Sequence, residues 1–420
     1  MNISKPRNEN YAAVITRVPA VVPLLGRDRI VAVPLFGHQA IVSKGWAIGD
    51  LGVFFPAETQ LSEGYAAANN MHKHADKNAD PAQVGYLEDN RRIKAIKLGG
   101  HRSDAIFMPL TSLAYTGIDV SQLREGDTFD RIGEHEICQK YEIKVPKRAS
   151  AAGNQAPKPR RVMERHFPLH LDTSNYWRAK HTIADSDFVW VTQKLHGTSV
   201  RIGRTIAARK LTWLERVARR LGVNVQETKY DNVYGSRRVT KDANDPDQNH
   251  YYDTDIWTIE GRKLDGLVPA GYVVYGELIG WTPDGVAIQK GYTYHLPHGE
   301  AQLYVYRVAV VNQDGVSVDL SWPQVEEFCR NTGLNPAPLL WAGYHEDFDV
   351  DAWMDQRYRD LGYRNAVALD PGKTVDEGVV VRVDGLTPRL YKAKSPKFLQ
   401  YETKVLDEGV ADLESAEAAA

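Results

Sequence analysis

Trp190-Val191-Thr192-Gln193-Lys194-Leu195-His196-Gly197-Thr198-Ser199-Val200-Arg201 carries a lysine from the end of one strand into a tight turn. The β-branched and aromatic run before Lys194 predicts a strand, Gly197 permits the turn, and a second strand takes Arg201 away. A lysine fixed at such a turn among other cations can lose its proton and act as a nucleophile. Taken alone, the segment is better read as an exposed lysine at a hairpin, so the decision rests on what stands elsewhere in the chain.

Three further segments change the reading. Val274-Tyr275-Gly276-Glu277-Leu278 ends a strand in a carboxylate, and Asp376-Glu377-Gly378-Val379-Val380-Val381-Arg382 puts a second carboxylate at the start of a buried strand. Leu390-Tyr391-Lys392-Ala393-Lys394 alternates, so both lysines point to one face. Nucleotidyl transfer to a lysine requires these groups together: an amine, carboxylates for a ribose or a divalent metal, and cations around the α-phosphate.

In this order the four segments resemble the covalent nucleotidyltransferase family of ligases and capping enzymes. Lys194 matches the nucleophile of the KxDG/KxHG motif, Glu277 the GE motif, Glu377 the EG motif, and Lys392 with Lys394 the final KxK motif. Arg238, with Arg237 close behind, falls where the family places an arginine, and Tyr306 matches the aromatic that stacks on the purine. His196, where DNA ligases and capping enzymes usually carry Asp, is similar to the RNA ligases typified by the second enzyme of phage T4. Arg307 and Ser199 depart from the common pattern, which has Asp and Asn there.

The resemblance implies an ATP-dependent RNA ligase that joins 3′-OH and 5′-phosphate ends, at nicks in duplex RNA, through lysyl-AMP on Lys194. It implies catalytic roles for Lys194, His196, Lys392 and Lys394, and nucleotide contacts from Gln193, Arg238, Glu277, Tyr306 and Val380. Glu377 would hold Mg2+ or Mn2+. RNA is the implied partner, with RNA/DNA hybrids admitted, and the protein is expected to act as a monomer. A DNA ligase, another lysyl-nucleotidyltransferase, or an idle nucleic-acid-binding protein of the same fold is the alternative. The last is opposed by the presence of all five motif residues.

The expected fold class is α+β: an N-terminal OB-like β-barrel over residues 1–145, then a nucleotidyltransferase domain of antiparallel sheets and flanking helices over 167–405. Short strands punctuated by Gly and Pro support the first part, among them Ile30–Val33, Gln39–Val42, Leu51–Phe55, Arg92–Leu98 and Ala105–Met108. The Arg91–Leu98 run alternates cationic with apolar residues, as a strand with one wet face does. Residues 146–166 read as a basic Pro/Ala/Gly linker, and 406–420 as an acidic disordered tail. Only 26 residues follow Lys394, too few for the OB domain that DNA ligases and capping enzymes place there. In the second half, helices are expected at Ile206–Leu221, Ser321–Thr332 and Asp347–Leu361.

Composition bounds the class. The 420 residues carry a net charge of −2, which excludes a uniformly basic protein but not a basic groove balanced elsewhere. Two cysteines, Cys138 and Cys329, leave no disulfide framework or Cys-based zinc site, and with no long apolar run the expectation is a cytoplasmic protein without membrane contact. Asp370-Pro371-Gly372-Lys373-Thr374 imitates the end of a P-loop, but the glycine required five residues before Gly372 is Val367, so it reads as a turn. The aromatic-histidine runs Asn249–Tyr252 and Tyr292–His295 are expected to be ordinary packing, with base stacking as the alternative. The basic stripe of Ile206–Leu221 is expected to be the solvated face of a packing helix, with phosphate tracking as its alternative.

Overall fold

The strand that delivers Lys194 and the strand that leaves it do not pair with each other. In the computed structural model, which describes residues 3, 5–143, 161–241, 252, 254–359, 367, 369, 370 and 375–409, Phe188–Gln193 lies in one sheet and Thr198–Ala208 in another. The expected hairpin is a crossing between two sheets. The chain divides into two compact units. The first gathers residues through Ile143, Ser174–His181 and the segment from Ala393; the second gathers the segment ending at Thr173 and Thr182–Lys392.

In the second unit, the first sheet runs Arg389–Lys394, Gly378–Val383, Phe188–Gln193, Leu339–Tyr344. The unit boundary falls inside the lysine-bearing strand, after Lys392. Val189 pairs with Val383 and Val191 with Val381, and this valine face is buried, as the alternation predicts.

The larger sheet runs Thr240–Lys241, Thr228–Ser236, Thr198–Ala208, Tyr272–Gly280, Ala301–Val311, Ser317–Asp319, antiparallel along that path. One face buries Val200, Ile202, Val274, Leu278 and Val308 against the helices Ile256–Arg262 and Trp322–Thr332 through Trp257, Trp322 and Val325. Each aliphatic side chain buried there contributes about 1.5–3 kcal/mol. The second helix begins as expected: Ser321 forms a capping box with Gln324, and Gly333 ends the helix at φ 72°. The opposite face packs Val273, Tyr275, Ala309 and Val311 on Val162 and Phe167.

The N-terminal OB-like barrel is not what forms. Among the described residues, no sheet closes. The seven-stranded sheet is an open path: Thr128–Phe129, Ala13–Arg17, Leu51–Pro56, Ala105–Pro109, His38–Ser43, Ile30–Leu35, Val22–Pro23. Its two ends are two-residue strands, and Pro23 offers no N–H for a further partner. A barrel has one interior, whereas this sheet buries both faces. Val14, Phe54 and Phe107 pack on one side with Val31 and Val33; Ile15, Val53 and Phe55 pack on the other with Tyr65 and Leu113. Those consecutive apolar residues are the signature of a two-sided sheet. The coarser α+β expectation, with antiparallel sheets and helices, holds.

Two local expectations also fail. Only Ile96–Leu98 of the Arg92–Leu98 run is a strand, and the alternation fails at both ends: Ile93 and Ala95 are buried as expected, but Arg92 is 2% exposed, Ile96 40% and Leu98 41%. The predicted helix Ile206–Leu221 begins as strand, since Thr198–Ala208 pairs with Thr228–Ser236 to its end. The helix is Trp213–Arg220, started by a Thr212–Glu215 capping box, and it buries no residue, so it is not a packing helix. The third helix is Val350–Arg359. Residues 406 and 407 close the helix Pro396–Asp407, while 146–160 of the linker and 410–420 of the tail lie outside the described residues. No helix among the described residues is long and apolar enough to cross a membrane.

Candidate active site

Lys194 is the first residue past its strand, and the backbone there is fixed before any side chain is considered. Its N–H donates to the Gly378 carbonyl at 2.9 Å, extending the pairing of Gln193 with Val379. Two residues on, the His196 N–H donates to Tyr294 Oη at 2.7 Å. The Gly197 N–H donates to Glu277 Oε1 at 3.1 Å, and the Gly197 carbonyl accepts from Gln289 Nε2 at 2.9 Å. Gly197 is required by space rather than by backbone conformation. A Cβ at this position would lie 2.1 Å from the Leu278 carbonyl oxygen.

These constraints aim the Lys194 amine at one carboxylate. Lys194 Nζ lies 2.8 Å from Glu377 Oε1, and His196 Nδ1 lies 3.3 Å from Glu377 Oε2. Glu377 is 3% exposed, whereas the Lys194 and His196 side chains are 18% and 16% exposed. The carboxylate is therefore buried, while Lys194 and His196 keep part of their side chains exposed.

Glu277 stands in register with Ser199 on one side and Tyr304 on the other, which puts all three on one face of the larger sheet. Its Oε2 accepts from Ser199 Oγ at 3.2 Å. The serine at the position where the family commonly has Asn thus still bonds the neighbouring carboxylate. The second departure is also compensated within the fold: Arg307 is buried, pairs with Asp319 through Nε and Nη2, and lies 4.1 Å over the Tyr275 ring.

The remaining predicted residues are placed as follows. Val380 is half-buried opposite Thr192, on the strand face that brings Gly378 opposite Lys194. Gln193 spends its side-chain amide on the backbone of Val367, donating to the carbonyl at 3.1 Å and accepting from the N–H at 2.8 Å. Tyr306 sits at a register shift of its strand and bonds His170 Nδ1 through its hydroxyl at 2.7 Å. Arg238 is exposed beyond the strand Thr228–Ser236, and Arg237 reaches Asp172 at 3.7 Å. Lys392 and Lys394 alternate with buried Tyr391 and Ala393 on Arg389–Lys394, both half-buried on the same face. Lys394 Nζ meets Glu402 Oε1 at 2.7 Å within the first unit.

Sequence reasoning missed the support beneath the nucleophile. Tyr292 is buried with its ring 4.8 Å from that of His196, edge to face, and buried Tyr294 accepts from the His196 N–H. Burial pushes the Tyr294 hydroxyl well above its ordinary range, so it stays protonated. Asp370, read as a turn residue, accepts from the N–H groups of Tyr294 and His295, which take left-handed φ values of 54° and 57°. Burial raises its carboxyl, but these hydrogen bonds outweigh that and hold it below the usual range. The Tyr292–His295 run was legible as buried packing; its contact with the KxHG turn crosses about a hundred residues and leaves no local signal. Asn249, His250 and Tyr251 lie outside the described residues.

Residues 187–394 match the family model of RNA ligases. Among solved structures, a lysine-to-methionine mutant of Naegleria gruberi RNA ligase with AMP and Mn is similar at TM-score 0.59 and 15% identity, over 93% of this chain and 98% of that one. A glutamate-to-alanine mutant of the same ligase with ATP and Mn gives 0.58 and 16%, over 94% and 99%. The ligase with PPi gives 0.54 and 16%, again over 94% and 99%. At such identity the likeness concerns the fold. No curated protein matches the chain. The matched region contains Lys194 and the buried Glu377 that faces it, so the chain is similar there to RNA ligases and shares the fold of the Naegleria gruberi enzyme.

Proposed function

We propose that this protein is an ATP-dependent RNA ligase that seals 3′-OH/5′-phosphate nicks in duplex RNA, accepting RNA/DNA hybrids, as a cytoplasmic monomer. The observation that carries the reading is the Lys194–Glu377–His196 contact, held by a turn whose backbone groups are bonded to Glu277, Gln289 and Tyr294. Lys194 attacks the α-phosphorus of ATP, expelling pyrophosphate and forming lysyl-AMP. The AMP passes to the RNA 5′-phosphate, and the 3′-OH then displaces it to close the strand.

Each residue has work that its position permits. Lys194 must shed a proton before attack, and Glu377 is a group within reach of that proton. His196 stands 3.3 Å from the far oxygen of Glu377, where a protonated ring would pair with the carboxylate. Glu277, bonded to the turn through Gly197, would accept from a ribose hydroxyl. Tyr306 and Val380 enclose the purine, with Gln193 fixing the backbone at Val367 beside it. Arg238, Lys392 and Lys394 place positive charge around the phosphates, where charge develops in the transition state.

Among the described residues, no three His, Cys, Asp or Glu side chains gather to cage a metal. A divalent cation here would be held by Glu377, with phosphate oxygens and water completing its shell, a hard-oxygen set that suits Mg2+ or Mn2+. When bound it supplies positive charge that competes with the ammonium form of Lys194.

The test is covalent labelling. Incubation with α-labelled ATP and Mg2+ should leave label on the protein, and Lys194→Ala should abolish it while remaining folded. The wild type should then seal nicked duplex RNA. Label from GTP alone, or no label from any nucleotide, overturns the reading.

A further inference from the structure

The helix Pro396–Asp407, which follows the lysine pair, is fastened within the first unit by a buried charge cluster. Leu399 packs on Ala57 and Ala95. Arg92 donates to Glu58 Oε2 at 3.2 Å and to the Thr403 carbonyl at 3.1 Å, and it pairs with Asp407. Thr403 Oγ1 donates to Glu58 Oε1 at 2.8 Å and accepts from the Ala95 N–H at 2.9 Å. Next to Thr403 on the same helix, Glu402 takes the Lys394 ammonium at 2.7 Å, with side chains 14% and 18% exposed. Glu58 is 3% exposed and holds a left-handed φ of 64°, a conformation a glutamate keeps only where its surroundings fix it.

The charged groups that face Glu58 are Arg92 from the neighbouring segment and Glu402 and Lys394 from the C-terminal one, with Asp407 and Lys94 beyond Arg92. Glu58 is bonded to Arg92 and Thr403 and Glu402 to Lys394, so two carboxylates lie in one water-poor site, where ionising both is costly. Burial first, and the Glu402 charge second, push the Glu58 carboxyl up to about 7 against the pull of Arg92, Thr403 and Lys394.

We propose that Glu402 is a positioning residue for Lys394 in the ligation reaction, and that Glu58 sets how firmly the lysine is held by giving up or keeping the proton of this carboxylate pair. The proposal rests on the role given to Lys394 above. With Glu58 protonated, Glu402 is the ionised member of the carboxylate pair; with both ionised, the added charge of Glu58 draws Lys394 more tightly to the protein and away from a phosphate.

The experiment compares wild type, Glu58→Gln and Glu402→Gln in the full chain. Single-turnover labelling by α-labelled ATP is measured from pH 6 to 8.5, and thermal unfolding from pH 5 to 8. Dividing the Glu58→Gln rate by the wild-type rate removes the ionisation of Lys194; the quotient should be near one at pH 6 and rise about 3- to 10-fold by pH 8.5. Glu402→Gln should lower the rate at saturating ATP about 10-fold and change the KM for ATP less than 2-fold.

A carboxyl raised in the folded state stabilises below its unfolded value and loses that stabilisation as pH rises through the folded one. The wild-type Tm should therefore fall relative to Glu58→Gln between pH 5 and 7. Parallel Tm profiles, a flat quotient, or a wild-type rate in Glu402→Gln each overturn the proposal. A wild type that takes no label at any pH fails instead on the ligase reading, and the proposal falls with it.

Discussion

Replacing Gly197 by alanine tests whether the turn geometry, rather than the presence of a lysine, makes the site. The added Cβ would stand 2.1 Å from the Leu278 carbonyl oxygen and 2.9 Å from Ile279 Cγ2, where ordinary contact begins at 3.4 Å. The turn must therefore back away by about 1 Å, and backbone lies on the opposing side, so no side-chain rotation relieves the overlap. Register gives little freedom: Thr198 pairs with Leu278 and Ser199 with Glu277 immediately afterwards. The displacement falls on the other side of the turn, toward His196 and Lys194, and stretches the Gly197–Glu277 hydrogen bond. A misplacement of about 1 Å at a reacting group costs roughly 100-fold in rate, and overpacking costs about 1–3 kcal/mol of stability. Single-turnover labelling with α-labelled ATP at a temperature well below the variant's Tm separates the two effects. A folded Gly197→Ala protein that labels within three-fold of wild type would refute the argument that this close approach aims the nucleophile.

Two more expectations follow from contacts already described. Arg307→Met leaves Asp319 buried without its partner and should cost about 3–5 kcal/mol by denaturant unfolding, while adding Asp319→Leu should restore most of the loss; a single variant as stable as wild type would show the pair to be dispensable. Changing Lys210, Arg216 and Arg220 together to Gln should weaken binding to nicked duplex RNA at low salt, lower the slope of log K against log salt by up to about 3, and leave Lys194 labelling unchanged. A salt slope equal to that of wild type would remove this helix from the RNA surface.

What could be read from the sequence was what depends on local pattern. The strands Phe188–Gln193 and Gly378–Val383 and the Ser321-capped helix follow from alternation and capping over a few residues. Long-range partners could not be read this way. Arg92 sits in a cationic alternation that reads as a wet face, yet it is buried because Glu58, Thr403 and Asp407 converge on it from distant parts of the chain. The N-terminal strands were legible, but their closure was not: barrel and open sheet share period-2 alternation, and only the two-sided burial around Phe54 and Phe55 separates them. Periodicity also overran the strand end at Ala208, because the apolar spacing of Leu211, Leu214 and Val217 suits a packed helix, whereas the helix that forms buries no residue.

The charge balance shows why a near-neutral chain can still present an RNA surface. Residues 201–241 hold eleven cations against Glu215, Glu227 and Asp231, but they do not act alike. Arg201 is fully buried and spends its guanidinium on the carbonyls of Ser236, Phe167 and Pro168. Lys241 is buried 4.1 Å from the Trp257 ring, and Arg209, Arg219, Lys229 and Arg237 are paired with carboxylates. Among the described residues, Arg204, Lys210, Arg216, Arg220 and Arg238 are exposed and form no ion pair. Exposed pairs contribute little to stability, so paired cations are not spent on the fold, yet each already has a neighbouring anion that a phosphate would have to replace. The five unpaired cations carry no such cost. The salt dependence of RNA binding should therefore follow these five rather than the total of eleven, which is why the substitutions that probe it spare Arg209 and Arg219.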